Sequence, residues 1–189
     1  MRAIAQVLED AGFQTFLPQR DGLEGYLLRF AKVPLPSILS EIRTRLDYAI
    51  FSLDVYELLV RCEAVVCNLN GRVPDEGMIV EASLAYAAGK SLILFKDDVR
   101  APFGGYDNAM LTSLGQGKIV KKRREIPAII AAEMSQPRAA VTLSPDLQKA
   151  VAAGKRISSF LASLPQSLGK QQWSDEVIRQ VMVAAFQEE

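Results

Sequence analysis

Between residues 62 and 100 the hydrophobic period switches twice, and the elements this predicts organise the rest of the chain. Ala64-Val65-Val66-Cys67 is a short, continuous apolar run rich in β-branched residues, as suits a strand of a parallel sheet buried on both faces. Asn68 to Gly77 follows as a loop dense in turn formers. Small and apolar residues then recur at helical spacing from Glu76 to Ala88, with Asp75 placed to cap the helix and Gly89 to end it. Ser91 to Phe95 is a second apolar run. Strand, helix and strand of these lengths predict a βαβ unit with a right-handed crossover. Ligands of open α/β sheets bind beyond the carboxyl ends of the strands. The polar loops 68–77 and 96–108 both fall at that edge.

Elsewhere the pattern is mostly helical. Residues 2–11 carry Ile4, Val7, Leu8 and Ala11 on one face and stop at Gly12. Phe13 to Leu17 alternates like a strand and ends at Pro18, and Asp21-Gly22 marks a turn. A helix over 36–46 places Ile38, Leu39, Ile42 and Leu46 together, with Arg43 and Arg45 facing water; a second helix spans 51–59 and includes Asp54. A short helix opens at Asn108, and Lys118-Ile119-Val120 suits a last edge strand. Three helices follow, at 126–134, 144–163 and 174–187, with a linker of proline and small residues at 136–145. The last helix presents Val177, Val181, Met182, Ala185 and Phe186 on one side, which needs a surface of this domain or of a partner subunit to cover it. The expected organisation is an α/β domain over 1–120 and a helical extension over 121–189. Because the chain opens on a helix, the first strand of the sheet is expected to be missing.

Composition narrows the chemistry. Of 189 residues, 49% are hydrophobic and 23% charged, and 22 Lys plus Arg balance 22 Asp plus Glu, so no charge bias points to nucleic acid. No apolar run approaches the roughly 20 residues of a membrane span and no signal peptide is visible, so no membrane partner and a cytoplasmic location are expected. The chain has no histidine, which excludes Ser-His-Asp and Cys-His mechanisms and removes a usual zinc ligand. Cys62 and Cys67 are therefore expected as buried apolar thiols, with no metal. Neither a Walker-type loop nor G-x-G-x-x-G occurs. The basic run Lys121 to Arg124 reads as a solvated strand end.

Acid–base or nucleophilic work thus falls to carboxylates, lysine, tyrosine or cysteine. The polar residues at the carboxyl edge are Asp54, Asn68, Asn70, Asp75, Glu81, Asp98, Arg100 and Asn108. Glu81 is the most informative. It lies on a helix of otherwise small and apolar residues and shares a face with Gly77, Leu84, Ala85 and Ala88. A carboxylate there is either a pocket group or a structural one that needs hydrogen-bond partners. Asp75 reads equally as an N-cap, and Gly77 either tightens the helix start or lets a flat ligand approach the backbone.

The order Phe51-x-x-Asp54, Ala64-Val65-Val66-x-Asn68-Leu69-x-Gly71, Asp75-x-Gly77-x-x-x-Glu81, Ala85-Tyr86-Ala87-x-Gly89-Lys90, Asp98-x-Arg100 and Asn108 resembles the nucleoside 2-deoxyribosyltransferase family. The resemblance covers about residues 1–120. It implies a flavodoxin-like parallel sheet sandwiched by helices, no cofactor, and a homo-oligomer with shared active sites. It also implies an enzyme that breaks the N-glycosidic bond of 2-deoxynucleosides through a covalent deoxyribosyl-glutamate, passing the sugar to another base or to water. On that basis Glu81 is the nucleophile. Asp75 and Asp54 hold or protonate the leaving base, and Asn108 reaches a neighbouring subunit's site. Asn68, Asn70, Gly71, Gly77, Asp98 and Arg100 are then substrate-binding. A 2-deoxynucleoside 5′-monophosphate N-glycosidase, with Arg100 or Arg72 on the phosphate, and a non-catalytic nucleotide-binding protein are the alternatives. The chain departs from the family pattern at Asn70, where aspartate is usual, and at Met78, where threonine or serine is common.

Overall fold

The structure is a computed structural model that describes residues 1–27, 37–100, 106–116, 118–136, 141–164 and 174–186 of the chain. In chain order its elements are α1 (Arg2–Asp10), α2 (Pro18–Asp21), α3 (Glu24–Leu27), α4 (Ser37–Tyr56), β1 (Ala64–Asn68), α5 (Glu76–Ala87), β2 (Ser91–Phe95), α6 (Ala109–Leu114), β3 (Ile119–Val120), α7 (Ile126–Met134), α8 (Pro145–Ser163) and α9 (Asp175–Phe186). A wider helical turn, Glu57–Arg61, continues α4, and a short 3-10 turn, Arg123–Glu125, precedes α7. They form two compact units. One comprises Met1–Thr15 and Arg61–Thr142, the other Phe16–Val60 and Leu143–Glu189. This division is interleaved along the chain.

The first unit is an α/β layer structure of the flavodoxin-like kind. Its three strands are parallel in the order β1-β2-β3, with Ala64 opposite Ser91, Asn68 opposite Phe95, and Phe95 opposite Val120. Alternation along the strands sorts the apolar side chains to two faces. Ala64, Val66, Ile93 and Phe95 pack with Ile4 and Leu8 of α1 and with Ile126 and Ile130 of α7. Val65, Cys67, Leu69, Leu92 and Leu94 pack with Met78 and Ala82 of α5 and with Leu111 of α6. Full burial of a side chain such as Phe95 or Leu94 stabilises the layer by about 2 kcal/mol.

Helix α5 begins and ends where its sequence requires. Asp75 is extended at φ −63°, ψ 133°, and its carboxylate accepts from Met78 N at 3.0 Å. At the other end Gly89 takes φ 66°, and the amides of Gly89 and Lys90 close on the carbonyls of Tyr86 and Ala85 at 3.0 and 2.9 Å. This double closure needs a left-handed residue at Gly89 and aims the chain directly into β2.

In the second unit α8 lies along α4, and α9 along both. Leu46, Ala49, Leu53, Ile157, Ile178, Val181 and Ala185 form its core together with Leu23 and Tyr26. Helices α4 and α8 approach closely at Gly154, where a Cβ would lie 2.0 Å from the Ser52 carbonyl oxygen. Polar bonds at the rim fix the helices: Tyr26 Oη donates to Asp175 at 2.9 Å and Ser158 Oγ to Glu57 at 2.9 Å. Arg156 donates to the carbonyls of Ala184 and Ala185 at 2.9 and 3.1 Å, placing a cation at the carboxyl end of α9. Among the described residues no helix is long and apolar enough to cross a membrane.

Three sequence expectations change here, and a fourth, the cover of α9, narrows to one of its two alternatives. Phe13 to Leu17 is not a strand: Phe13 joins the α1 core, Thr15 Oγ1 donates to Glu9, and the Leu17 amide donates to Asp21 at 2.9 Å, so Pro18 opens a helical turn. The two helices expected over 36–46 and 51–59 are one, α4, with Asp54 inside its last turn. Cys62 is half-buried, and only Cys67 is fully enclosed. The apolar side of α9 is covered by α4 and α8 of the same unit, although Phe186 stays exposed. The expected linker 136–145 and loop 96–108 fall partly outside the described residues.

Candidate active site at the carboxyl edge of the sheet

The expected site residues other than Asp54 lie in the sheet unit, on the loops that leave β1 and β2 and on α5 and α6. Asp54 belongs to the helical unit, half-buried, with Oδ1 against the backbone of Gly22, where a Cβ would lie 3.4 Å away.

Glu81 stands in the second turn of α5, half-buried beside the stripe Met78, Ala82 and Ala85 that packs on the sheet. A helical side chain leans over the turn on its amino-terminal side, so Glu81 leans toward Gly77, four residues earlier on the same face. Gly77 is exposed and has no side chain, which leaves that approach open. Beneath the helix is the fully buried Cys67 of β1. Burial, and then the negative charge of Glu81, push its thiol up to about 12, so it stays a neutral floor to the site.

Asp75 stands at the tip of the same helix, about 9 Å of axial rise before Glu81. Its Oδ1 is committed to the cap, and a Cβ on Gly77 would lie 3.2 Å from that oxygen. Glycine here makes room for the capping carboxylate. Asn108 repeats the device on α6: its Oδ1 accepts from Met110 N at 2.9 Å.

The remaining expected residues knit the two loops together. Asn68 Oδ1 accepts from the Asn70 amide at 3.3 Å. Asn70 exchanges two bonds with Asp97: its Nδ2 donates to Oδ1 at 2.5 Å, and its Oδ1 accepts from the Asp97 amide at 3.0 Å. Gly71, at φ 112°, donates its amide to Asp98 Oδ2 at 3.1 Å. Arg100 turns back on Asp98, donating from its amide at 2.7 Å, from Nε at 2.8 Å and from Nη2 at 2.5 Å. These bonds, the side-chain ones from Arg100 first, hold the Asp98 carboxyl well below the usual carboxylate range.

The structure adds residues the sequence did not single out. Lys96, directly after β2, is 3% exposed and donates to Asp107 at 2.6 Å; Asp107 is 10% exposed. Arg123 donates to Asp97 Oδ2 at 2.7 Å. Both pairings join positions eleven or more residues apart, which no local pattern reveals. Val73, Val99, Tyr106 and Met110 are strongly exposed apolar side chains on the same loops and on α6. Among the described residues no group of three or more His, Cys, Asp or Glu side chains is placed to hold a metal ion.

The model of the nucleoside 2-deoxyribosyltransferase family matches residues 1–110. The chain belongs to that family. The match takes in α1, β1, α5 and β2 and every expected site residue, from Asp54 to Asn108. Comparison with curated proteins gives no match. Membership in the deoxyribosyltransferase family carries nucleoside substrates and glycosyl transfer as the general activity.

Proposed function

We propose that the chain cleaves the N-glycosidic bond of 2-deoxynucleosides, with Glu81 as nucleophile and Asp75 as acid and base. A Glu81 carboxylate oxygen attacks C1′ and the bond from C1′ to the base nitrogen breaks. Its electron pair stays with the base, which takes a proton from Asp75. In the second step a nitrogen of another base attacks C1′, the ester to Glu81 breaks, and the proton of the incoming base returns to Asp75. Water in place of that base gives free deoxyribose. The logic is that of a retaining glycosidase.

One observation carries the reading. Glu81 is half-buried over an open glycine turn and near enough to the buried neutral Cys67 thiol for its charge to be felt there, so it is partly enclosed yet reachable. Exposed Val73, Val99, Tyr106 and Met110 support an apolar seat for the base, or for a second copy of the chain that brings Asn108 to a neighbouring site. For the 5′-monophosphate alternative, Arg100 is spent on Asp98, which leaves the exposed Arg72 as its candidate phosphate ligand.

The test is incubation of 2′-deoxyinosine with and without adenine, followed by chromatography, for wild type and Glu81→Gln. Base exchange reduced about a thousandfold or more in Glu81→Gln supports the transferase. Deoxyribose released without exchange makes it a hydrolase. Equal inactivity of both proteins on deoxynucleosides and on their monophosphates ends the catalytic reading in favour of a binding protein.

A further inference from the structure

We infer that Arg123 and Asp97 are positioning residues that hold the β1–α5 loop in its substrate-binding shape. The inference deepens the proposed function and rests on it. Residues 69–75 have no helix or strand of their own, yet this loop leads from Asn68 to the capping Asp75. Two of its groups, the Asn70 side chain and the Gly71 amide, are tied to the neighbouring loop, to Asp97 and Asp98 respectively. Asp98 is fixed by its own turn through Arg100. Asp97 needs a partner from elsewhere, and Arg123 is that partner.

The two carboxylate oxygens of Asp97 have separate tasks. Oδ1 receives Asn70 Nδ2, and Oδ2 receives Arg123 Nη2. Arg123 itself is fixed from two sides: its guanidinium lies 5.8 Å from the centroid of the fully buried Phe95 ring, two residues before Asp97, and its backbone begins the short turn after β3. The Lys96 amide, bonded to Val120 O at 2.9 Å, holds β3 at this level of the sheet. Three successive strand ends are thereby linked in series, Asn70 to Asp97 to Arg123. Removing Arg123 frees the Asp97 carboxylate to rotate and release Asn70. The pair is 33% and 45% exposed, so as an ion pair it adds little stability; its effect is on geometry. Of the basic run Lys121–Arg124, read from sequence as a solvated strand end, this one member acquires a specific task.

The experiment compares wild type, Arg123→Ala and Arg123→Lys in steady-state deoxynucleoside turnover and in NMR amide exchange of Asp97. The expected result for Arg123→Ala is a KM raised about fivefold or more with kcat within about twofold, and faster exchange at the Asp97 amide that donates to Asn70. Arg123→Lys, which keeps the charge but not the planar fork, should fall between the other two. An unchanged KM in Arg123→Ala overturns the inference, as does a raised KM with Asp97 exchange as in wild type. Should the wild type turn over no deoxynucleoside, the functional reading falls by itself. Exchange then decides whether Arg123 holds the loop, and an unchanged Asp97 amide would show that it does not.

Discussion

The carboxylate oxygen of Asp75 that caps Met78 at 3.0 Å lies 3.2 Å from the point where a side chain on Gly77 would begin. One glycine therefore governs both the start of α5 and the pose of a proposed catalytic acid. Gly77→Ala should push the carboxylate aside; the weakened cap and the better helix former offset each other to within about 1 kcal/mol in denaturant unfolding, while kcat/KM falls about tenfold or more. Asp75→Asn separates the two roles. Asparagine caps well, so stability should hold while turnover is lost; a variant active at the wild-type rate would remove Asp75 from the chemistry.

The Lys96–Asp107 pair is enclosed, and breaking it has a different cost from breaking a surface pair. Lys96→Met leaves the Asp107 carboxylate buried without its cation and should lower unfolding stability by about 3–5 kcal/mol. The double variant Lys96→Met with Asp107→Leu should recover most of that loss. Denaturation of the four proteins closes the cycle, and single-variant losses that simply add up in the double variant would show that the pair is not coupled.

Cys67 gives a pH signature. Burial pushes the thiol up to about 12 from the ordinary 9.0, so the folded protein keeps the thiol proton longer than the unfolded chain does. This contribution to stability is full below about pH 9 and is lost as pH rises toward 12. Cys67→Ala should flatten the decline of stability across that window, whatever it costs in packing at neutral pH. A thiol reagent at pH 8 should modify the half-buried Cys62 in the native protein and reach Cys67 only on unfolding.

Sequence reading succeeded where the determinants were local. Asp75, Gly89 and the apolar runs on either side place β1, α5 and β2 to within a residue, because caps and strand composition act over a few positions. It divided α4 in two because Asp47 and Tyr48 interrupt the apolar pattern, although Leu46, Ala49 and Leu53 keep the helical spacing and are all buried. Phe13 to Leu17 alternates convincingly, but alternation makes a strand only when a neighbouring strand receives it, and here side chains of Glu9 and Asp21 take the polar groups. At the site, the motif residues on α5 were legible as candidates. That Asn70, Asp98 and Arg100 hydrogen-bond to partners within the two loops was not, since Asn70 pairs with Asp97 twenty-seven residues away. Lys96 fell unremarked at the start of the polar loop 96–108; only the fold supplies the carboxylate that lets a lysine be buried there.

The contact of Gly154 with the Ser52 carbonyl joins segments about a hundred residues apart, and this shapes how the protein must be made. During synthesis α4 leaves the ribosome long before α8 and α9, the helices that cover its apolar face. The β-strands and their helices emerge in between and can close on themselves first, with α1 already available. Helix α4 must wait, its Leu46, Ala49 and Leu53 exposed, until the last part of the chain arrives. Moving α8 and α9 ahead of α4 by circular permutation would shorten that wait.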